Sequence, residues 1–146
     1  KRGMSIVLNP SPINEKIFEC DLEKVEYLIL NEIEAADILG ASDTGEDELI
    51  EKLTKRFPGM KIVLTLGEKG SVYVDKTQKI RQEIYKTDVV DTTAAGDTFT
   101  GYFIAGIVAG IDVAGSLKQA ARAASITVSK KGASPSIPFA KEVCER

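Results

Sequence analysis

Short, nearly continuous apolar runs alternate with amphipathic stretches in the first half of the chain. Met4–Leu8, Val25–Leu30 and Lys61–Leu66 predict strands, and Val25–Leu30 is a nearly continuous apolar run of the kind seen in strands that are buried on both faces. Between the last two runs, residues 31–40 (NEIEAADILG) predict a short helix ending at their terminal glycine, and residues 46–57 predict an amphipathic helix. This alternation predicts right-handed βαβ units and a parallel sheet.

The second half of the chain has a different pattern. Residues 71–75 (SVYVD) and 79–85 (KIRQEIY) are separated only by a polar turn, which predicts an antiparallel hairpin at a sheet edge. Two longer helical segments follow. The first, from about Gly96 to Gly110, is apolar on nearly all sides, so we expect it to be buried. The second, from about Asp112 to Ser129, is rich in alanine and leads into a polar loop.

Composition and charge exclude several classes of protein. The 146 residues, 43% of them apolar, suffice for one sizeable core, so we expect a single domain over residues 1–146. A net charge of -3 without a basic block argues against nucleic-acid and membrane-surface binding. The longest apolar run, residues 103–111, is too short for a membrane span. Because Cys20 and Cys144 lack metal-ligand spacing and no apolar leader precedes the first strand, we expect a cytoplasmic protein.

Two absences from the sequence limit the chemistry. The chain has no histidine, which excludes histidine-dependent nucleophiles and histidine-ligated zinc, so acid–base work would fall to carboxylates, lysine or tyrosine. It also has no G-x-x-x-x-G-K-[ST] segment, which excludes a P-loop. Any phosphate must therefore be held in another way.

Polar and small residues follow the predicted strands at the edge where open α/β sheets bind ligands, beyond the carboxyl ends of the strands. These are Asn31 and Glu34 after the second run, Thr65, Gly67 and Gly70 after the third, and residues 91–97 after the segment that ends at Val90.

Residues 91–101 (DTTAAGDTFTG) separate two carboxylates by small residues only. A helix N-terminus here would hold an anion with its unpaired N–H groups, and Ala94, Ala95 and Gly96 would let the anion approach closely. Asp97, in the first turn, would then take a proton from a substrate hydroxyl while the amides stabilise a transferring phosphoryl group. Alternatively, Asp97 only caps a buried helix, and its spacing alone does not decide between the two.

Residues 91–99 (DTTAAGDTF) resemble the second signature of the ribokinase (PfkB) family of carbohydrate kinases, D-T-x-A/G-A-G-D-x-F. Four further segments match the family in the same order: LNPSP at 8–12, NEIE at 31–34, TLGEKG at 65–70 and KKGASPSIP at 130–138. The resemblance covers nearly the whole chain. It implies an α/β fold of the ribokinase type, with a doubly wound, mostly parallel sheet and helices on both faces.

Members of this family are about twice as long, so the resemblance implies that the chain is the C-terminal half of such a fold, without the N-terminal half and the lid. In the family, the other half supplies most sugar-binding residues, and the lid often forms the dimer contact. We therefore expect the isolated chain to be inactive and the intact protein to be a homodimer. A first strand that begins almost directly after Lys1 is typical of such a segment.

The resemblance implies a role in phosphoryl transfer for the start of the signature helix. Asp97 would be the base that deprotonates the terminal hydroxymethyl group of the sugar, and the anion-hole amides would belong to Ala94, Ala95, Gly96 and Asp97. The nucleotide, ATP, would be held by Asn31, Thr65, Gly67, Gly70, Gly96 and Asp97. Glu34 would hold Mg²⁺ through water, although it could equally be an ordinary solvated helix carboxylate. The glycine loop could likewise be a plain turn.

The family also binds a monovalent cation, K⁺, beside its anion hole. The matching oxygens here are the Asp91 carboxylate, the Thr93 carbonyl, backbone groups of Thr127, Lys130 and Gly132, and the Ser136 hydroxyl, which together suit a hard cation. Taken singly, Asp91 could cap a turn and Gly132 could end a helix. Ala121 stands where the family often has histidine or asparagine, which leaves adenine contacts on that helix open.

The function expected from the resemblance is that of an ATP-dependent sugar kinase, in which this chain supplies the ATP site, anion hole and catalytic base. Other acceptors remain open, namely fructose, a sugar phosphate, a nucleoside or a sugar acid, because acceptor choice would lie in the other half. A non-catalytic nucleotide-binding module is the alternative from another class. The expected partners are ATP and a small sugar, with no nucleic acid and no membrane.

Overall fold

The computed structural model describes residues 3–41 and 44–144 and contains one five-stranded sheet. The strands are β1 (Val7–Leu8), β2 (Tyr27–Asn31), β3 (Lys61–Thr65), β4 (Ser71–Val74) and β5 (Lys79–Gln82), in the order β1-β2-β3-β4-β5. β1, β2 and β3 are parallel neighbours. The short turn between β4 and β5, closed by the Asp75 N–H donating to the Gln78 carbonyl at 3.0 Å, makes this pair an antiparallel hairpin. The predicted parallel sheet with a hairpin at its edge is confirmed.

Five α-helices accompany the sheet in the described residues: α1 (Glu32–Leu39), α2 (Glu46–Arg56), α3 (Ala95–Val108), α4 (Val113–Val128) and α5 (Ala140–Cys144). The first four lie within two residues of the bounds that the sequence predicts. α1 ends where Gly40 adopts a left-handed conformation with φ of 60°. Among the described residues, no helix is long and apolar enough to cross a membrane.

The chain divides into two compact units: Lys1–Gly67 with Val72–Arg81, and Glu68–Ser71 with Gln82–Arg146. In the first unit, alternate residues of β2 and β3 form a core with apolar residues of α1 and α2, including Leu28, Leu30, Ile62, Leu64, Ile38, Leu49 and Leu53. Ile29 and Val63, on the other face of the same strands, are at most 1% exposed. β2 and β3 are therefore buried on both faces, and the continuous apolar run of β2 predicts this for that strand.

The second unit contains α3, α4 and α5. Phe99 and Phe103 of α3 and Leu117 of α4 are buried. The two helices lie close together where Gly106 faces Ser116, because a Cβ atom added to Gly106 would lie 2.6 Å from Ser116 Oγ. The glycine is therefore required for this helix contact.

The expectation that the α3 segment is buried on all sides is wrong. Its buried residues, Thr98, Phe99, Phe103 and Gly106, lie along one side of the helix. Val108 is 82% exposed. An apolar pattern on all sides gives no direction of packing, and in this chain α3 packs along one side against α4.

Candidate functional site

In the first unit, Asn31 and Thr65 lie side by side at the carboxyl ends of β2 and β3. They are direct partners in the parallel register of these strands. The Thr65 hydroxyl donates to the Leu30 carbonyl at 3.4 Å. The structure thus brings together two predicted nucleotide-site residues that are 34 positions apart in the sequence.

Asn31 and Glu34 form a reciprocal capping box at the start of α1. The Glu34 N–H donates to Asn31 Oδ1 at 2.8 Å, and the Asn31 N–H donates to Glu34 Oε2 at 3.0 Å. Glu34 is only 8% exposed, so it is not the solvated carboxylate that the sequence alone allows. Asn31 Nδ2 and Glu34 Oε1 take no part in the box, and these are the atoms that could face a nucleotide or a hydrated Mg²⁺.

The two glycines of the predicted nucleotide loop have different surroundings. Gly70 has a φ of 90°, and a Cβ atom added there would lie 2.1 Å from the Gln82 carbonyl oxygen in the second unit. The fold itself therefore requires Gly70, as in the simple-turn interpretation. Gly67, with φ of 54°, has no atom within 4 Å of an added Cβ atom and is open on that side.

In the second unit, α3 begins without a side-chain cap. Its N-cap residue, Ala94, adopts a left-handed conformation with φ of 62° and ψ of 9°, which costs about 1–2 kcal/mol for a residue other than glycine. The Ala95 N–H donates to the Thr92 carbonyl at 3.2 Å. The N–H groups of Ala94, Gly96 and Asp97 donate to no oxygen of residues 3–41 and 44–144. Three of the four expected anion-hole amides are therefore available.

Asp97 lies in the first turn of α3 and is exposed. Within the described part of the chain, its carboxylate makes no hydrogen bond or ion pair. The interpretation of Asp97 as a helix cap has no support, because Ala94 occupies the cap position and Asp97 bonds to neither flanking amide. A Cβ atom added to the neighbouring Gly96 would meet nothing within 4 Å. The Asp97 carboxylate, which could accept a proton, thus lies beside the available N–H groups and beside space that the described residues leave open.

Asp91 ties the loop before α3 to the chain after α4. Its Oδ1 accepts the Thr93 N–H and its Oδ2 accepts the Gly132 N–H, both at 2.9 Å. Hydrogen bonds from the Thr93 side chain and backbone, and from the Gly132 backbone, hold the pKa of Asp91 below its usual range. The N–H groups of Val90 and Asp91 also donate to the Val128 carbonyl, at 2.8 and 3.1 Å.

The other expected cation ligands make contacts within the same unit. The Thr127 carbonyl accepts the Lys130 N–H at 3.1 Å, and the buried Ser136 hydroxyl donates to the Ala133 carbonyl at 2.6 Å. Gly132 has φ of 92° but lies three residues beyond Ser129, the C-cap of α4, so it does not end that helix. In the described ranges, no three His, Cys, Asp or Glu side chains cluster as metal ligands do. The carboxylate, carbonyl and hydroxyl oxygens present are of the kind that a hard monovalent cation takes.

A buried pair of hydroxyl groups was not predicted. Thr98 Oγ1 and Thr127 Oγ1 lie 3.1 Å apart, although the residues are 29 positions apart in the sequence. The sequence suggests Thr127 only as a backbone ligand. A polar residue in the apolar face of each helix was the available signal, but it does not say which residue pairs with which.

A cavity of about 730 Å³ in the second unit lies between the segment at Lys86 and one face of α4. Lys130 is the only predicted site residue in its lining, so the cavity is not the start of α3. Among its cationic side chains, Lys130 pairs with Glu142 at 3.0 Å, and Lys86 and Lys118 are exposed. We assign the cavity no role in phosphoryl transfer.

The fold and the residues of the signature helix resemble those of carbohydrate kinases of the PfkB type. Residues 1–140 match the pfkB family carbohydrate kinase profile, and the chain belongs to this family. It is 37% identical over 144 residues to a ribokinase of Staphylococcus aureus (strain COL), covering 97% of this chain and 47% of that protein. The chain thus spans about half the length of the curated relatives that it matches.

Solved structures agree with the family assignment. The ribokinase of Arabidopsis thaliana complexed with ribose and ATP superposes with a TM-score of 0.84 at 32% identity, covering 98% of this chain and 47% of that one. The ribokinase of Cryptococcus neoformans var. grubii serotype A in complex with ADP gives a TM-score of 0.85, also at 32% identity, over 97% of this chain and 51% of that one. The predicted ribokinase-like fold is confirmed.

Proposed function

We propose that this chain supplies the ATP site, the anion hole and the catalytic base of an ATP-dependent sugar kinase, which transfers the γ-phosphoryl group to a sugar hydroxymethyl group. The observation that carries the proposal is the exposed Asp97 carboxylate beside three amides at the start of α3, none of which has a hydrogen-bond partner among residues 3–41 and 44–144. The ribose and ATP of the A. thaliana structure and the ADP of the C. neoformans structure support these ligand classes.

The start of α3 would carry out the transfer in one concerted step. Asp97 takes the proton of the hydroxymethyl group while the hydroxyl oxygen forms its bond to the γ-phosphorus and the bond to the ADP oxygen breaks. The N–H groups of Ala94, Gly96 and Asp97 donate to the oxygens of the transferring group, where negative charge is concentrated. The Ala95 N–H, which donates to Thr92, instead fixes the turn.

Residues at and just after the carboxyl ends of β2 and β3 would hold the nucleotide. Asn31 would donate from Nδ2, Thr65 and Gly67 would line the loop beside it, and Gly70 would keep the loop in place. Glu34 would hold Mg²⁺ through water with the carboxylate oxygen that the capping box leaves unused. Mg²⁺, when bound, neutralises phosphate charge. K⁺ would be held by Asp91, Thr93, Thr127, Lys130, Gly132 and Ser136, and would add positive charge near the start of α3.

Replacing the proposed base tests the function. In the complete kinase that carries this sequence, Asp97→Asn removes the proton acceptor but keeps the size of the side chain. We expect kcat to fall by about 10²–10⁴-fold while the ATP dissociation constant stays within about threefold of the unmodified protein. Turnover is measured by a coupled ADP-release assay and binding by calorimetry. A variant with ordinary kcat would remove Asp97 as the base.

A different acceptor is the second candidate, because the signature and the site described here contain nothing that selects the sugar. Assaying the complete kinase against ribose, fructose, a sugar phosphate, a nucleoside and a sugar acid decides between them. If ATP·Mg²⁺ binds by calorimetry but no acceptor supports ADP release, the protein is a nucleotide-binding module rather than a kinase.

A further inference from the structure

The Thr98–Thr127 pair lies directly behind the proposed catalytic turn. Thr98 follows Asp97 in the first turn of α3 and is 3% exposed, while Thr127 is in the last turn of α4 and is fully buried. Their hydroxyl oxygens are 3.1 Å apart. Two buried hydroxyl groups thus join the start of one helix to the end of the other.

The direction of this hydrogen bond follows from the surroundings of Thr127. Thr127 Oγ1 is also 3.1 Å from the Ala123 carbonyl, which can only accept. Since a hydroxyl has one proton, Thr127 donates to Ala123 and accepts from Thr98. The resulting series of two hydrogen bonds satisfies both buried hydroxyl groups and constrains both the separation of α3 and α4 and the rotation of α3 about its axis.

The same end of α4 also holds the chain on the other side of the catalytic turn. The N–H groups of Val90 and Asp91 donate to Val128, and the Gly132 N–H donates to Asp91. Residues 92–97 therefore lie between two attachments to one helix end. Ala94, within this stretch, keeps a conformation that persists only where the surrounding structure enforces it.

We propose that Thr98 and Thr127 are a positioning pair, whose hydrogen bond fixes the first turn of α3 against α4 so that Asp97 and the neighbouring amides keep the geometry that phosphoryl transfer needs. The proposal rests on the proposed function, since it assigns these groups to the reaction. It attributes to the two hydroxyl groups an effect on turnover that is separate from their effect on stability.

Valine and serine variants separate the two effects in the complete kinase. Valine replaces the hydroxyl by a methyl group of nearly the same shape, and serine keeps the hydroxyl. We expect Thr98→Val to lower kcat about tenfold with little change in the KM for ATP, and Thr98→Ser to keep kcat within about twofold. The double variant Thr98→Val/Thr127→Val should unfold near the temperature of the unmodified protein, because two apolar groups replace two hydrogen-bonded ones.

The double variant decides the matter even if the single valine variant does not fold. A stable double variant with about tenfold lower kcat supports positioning, whereas one with unchanged kcat shows that the pair only fills space and overturns the proposal. Asp97→Asn is assayed in parallel. If Asp97→Asn lowers kcat but the double variant does not, the positioning role is overturned and Asp97 remains the base. If the double variant lowers kcat but Asp97→Asn does not, Asp97 is not the base and the positioning role remains.

Discussion

Ala94 and Gly96 show why such small residues stand before and within the first turn of α3. Among the described residues, Ala94 is the only residue other than glycine with positive φ, and it directs the chain into a helix that has no side-chain cap. Gly96 faces open space on the side where a Cβ atom would project. Nothing in the described fold excludes a methyl group at Gly96, so the packing of the described residues does not require glycine there.

A methyl group at Gly96 should therefore separate stability from activity. Gly96→Ala is expected to raise the free energy of unfolding by about 0.5–1 kcal/mol, because alanine favours the helix and meets no atom. If the proposed function holds, Gly96→Ala in the full-length protein should also lower kcat/KM for ATP, since the added methyl group would occupy the proposed phosphate position. Chemical denaturation and steady-state kinetics measure the two effects. A stabilised variant with full activity would show that the anion does not approach Gly96.

At the scale of elements, local signals predict the helices and strands well. The bounds of α1 and α4 agree with the sequence because local chemistry sets their ends. Gly40 ends α1 at its C-terminus, and Asp112 begins α4, where its carboxylate accepts the Gly115 N–H. The buried side of α3 could not be predicted, because apolar residues occur on all of its sides. Packing partners depend on residues far away in the sequence.

The candidate site shows the same limit. The proximity of Asn31 and Thr65 follows from two adjacent parallel strands and was predictable. The capping box was predictable in principle from N-x-x-E, but its consequence, the burial of Glu34, was not. The Thr98–Thr127 pair depends on how α3 and α4 cross, which no local pattern encodes.

The crossing of α3 and α4 gives a prediction that compares two glycines of one helix. Gly106→Ala should lower the free energy of unfolding by about 1–3 kcal/mol, because the added Cβ atom would lie 2.6 Å from Ser116 Oγ and 3.2 Å from Ser116 Cα. Gly101→Ala is the matched control. Gly101 is exposed, and a Cβ atom added there would meet no atom within 4 Å. Gly101→Ala should therefore raise the free energy of unfolding by about 0.5–1 kcal/mol. Urea denaturation measures both, and equal effects would contradict the described helix contact.

For the whole molecule, the charges that respond to pH near neutrality are few. The chain has no histidine. Hydrogen bonds and ion pairs lower the pKa of several carboxylates: Glu26, Asp47, Glu51, Asp75, Asp91 and Glu142. Burial raises the pKa of Asp75, but hydrogen bonds from Tyr73, Thr77 and Gln78 outweigh it. Groups with raised pKa, such as Lys61 and the buried Tyr73, begin from ordinary values of 10.5 and 10.0 and so lie outside the neutral range.

These shifts fix the sign of the pH dependence. A carboxylate whose pKa is lower in the folded than in the unfolded state contributes its full stabilisation above the unfolded value, about 4, and loses it as the pH falls through the folded value. We therefore expect the free energy of unfolding to be nearly constant from about pH 5.5 to 7.5 and to fall steadily from about pH 4.5 to 2.

Asp75 tests this expectation because its carboxylate joins the buried Tyr73 hydroxyl, at 2.6 Å, to the turn between β4 and β5. Asp75→Asn should be less stable than the unmodified protein at pH 7, and the difference should shrink as the pH falls below about 4, because Asp75 then binds a proton in the unfolded state but not in the folded state. Asp88→Asn, at an exposed aspartate outside any described hydrogen bond, is the matched control and should follow the unmodified protein at every pH. Urea denaturation at pH 7, 5, 4, 3 and 2 gives the three curves. If the free energies of unfolding of Asp75→Asn and the unmodified protein change with pH in parallel, the turn does not stabilise this carboxylate. The reason is that a carboxylate makes the free energy of unfolding depend on pH only where its pKa differs between the folded and unfolded states.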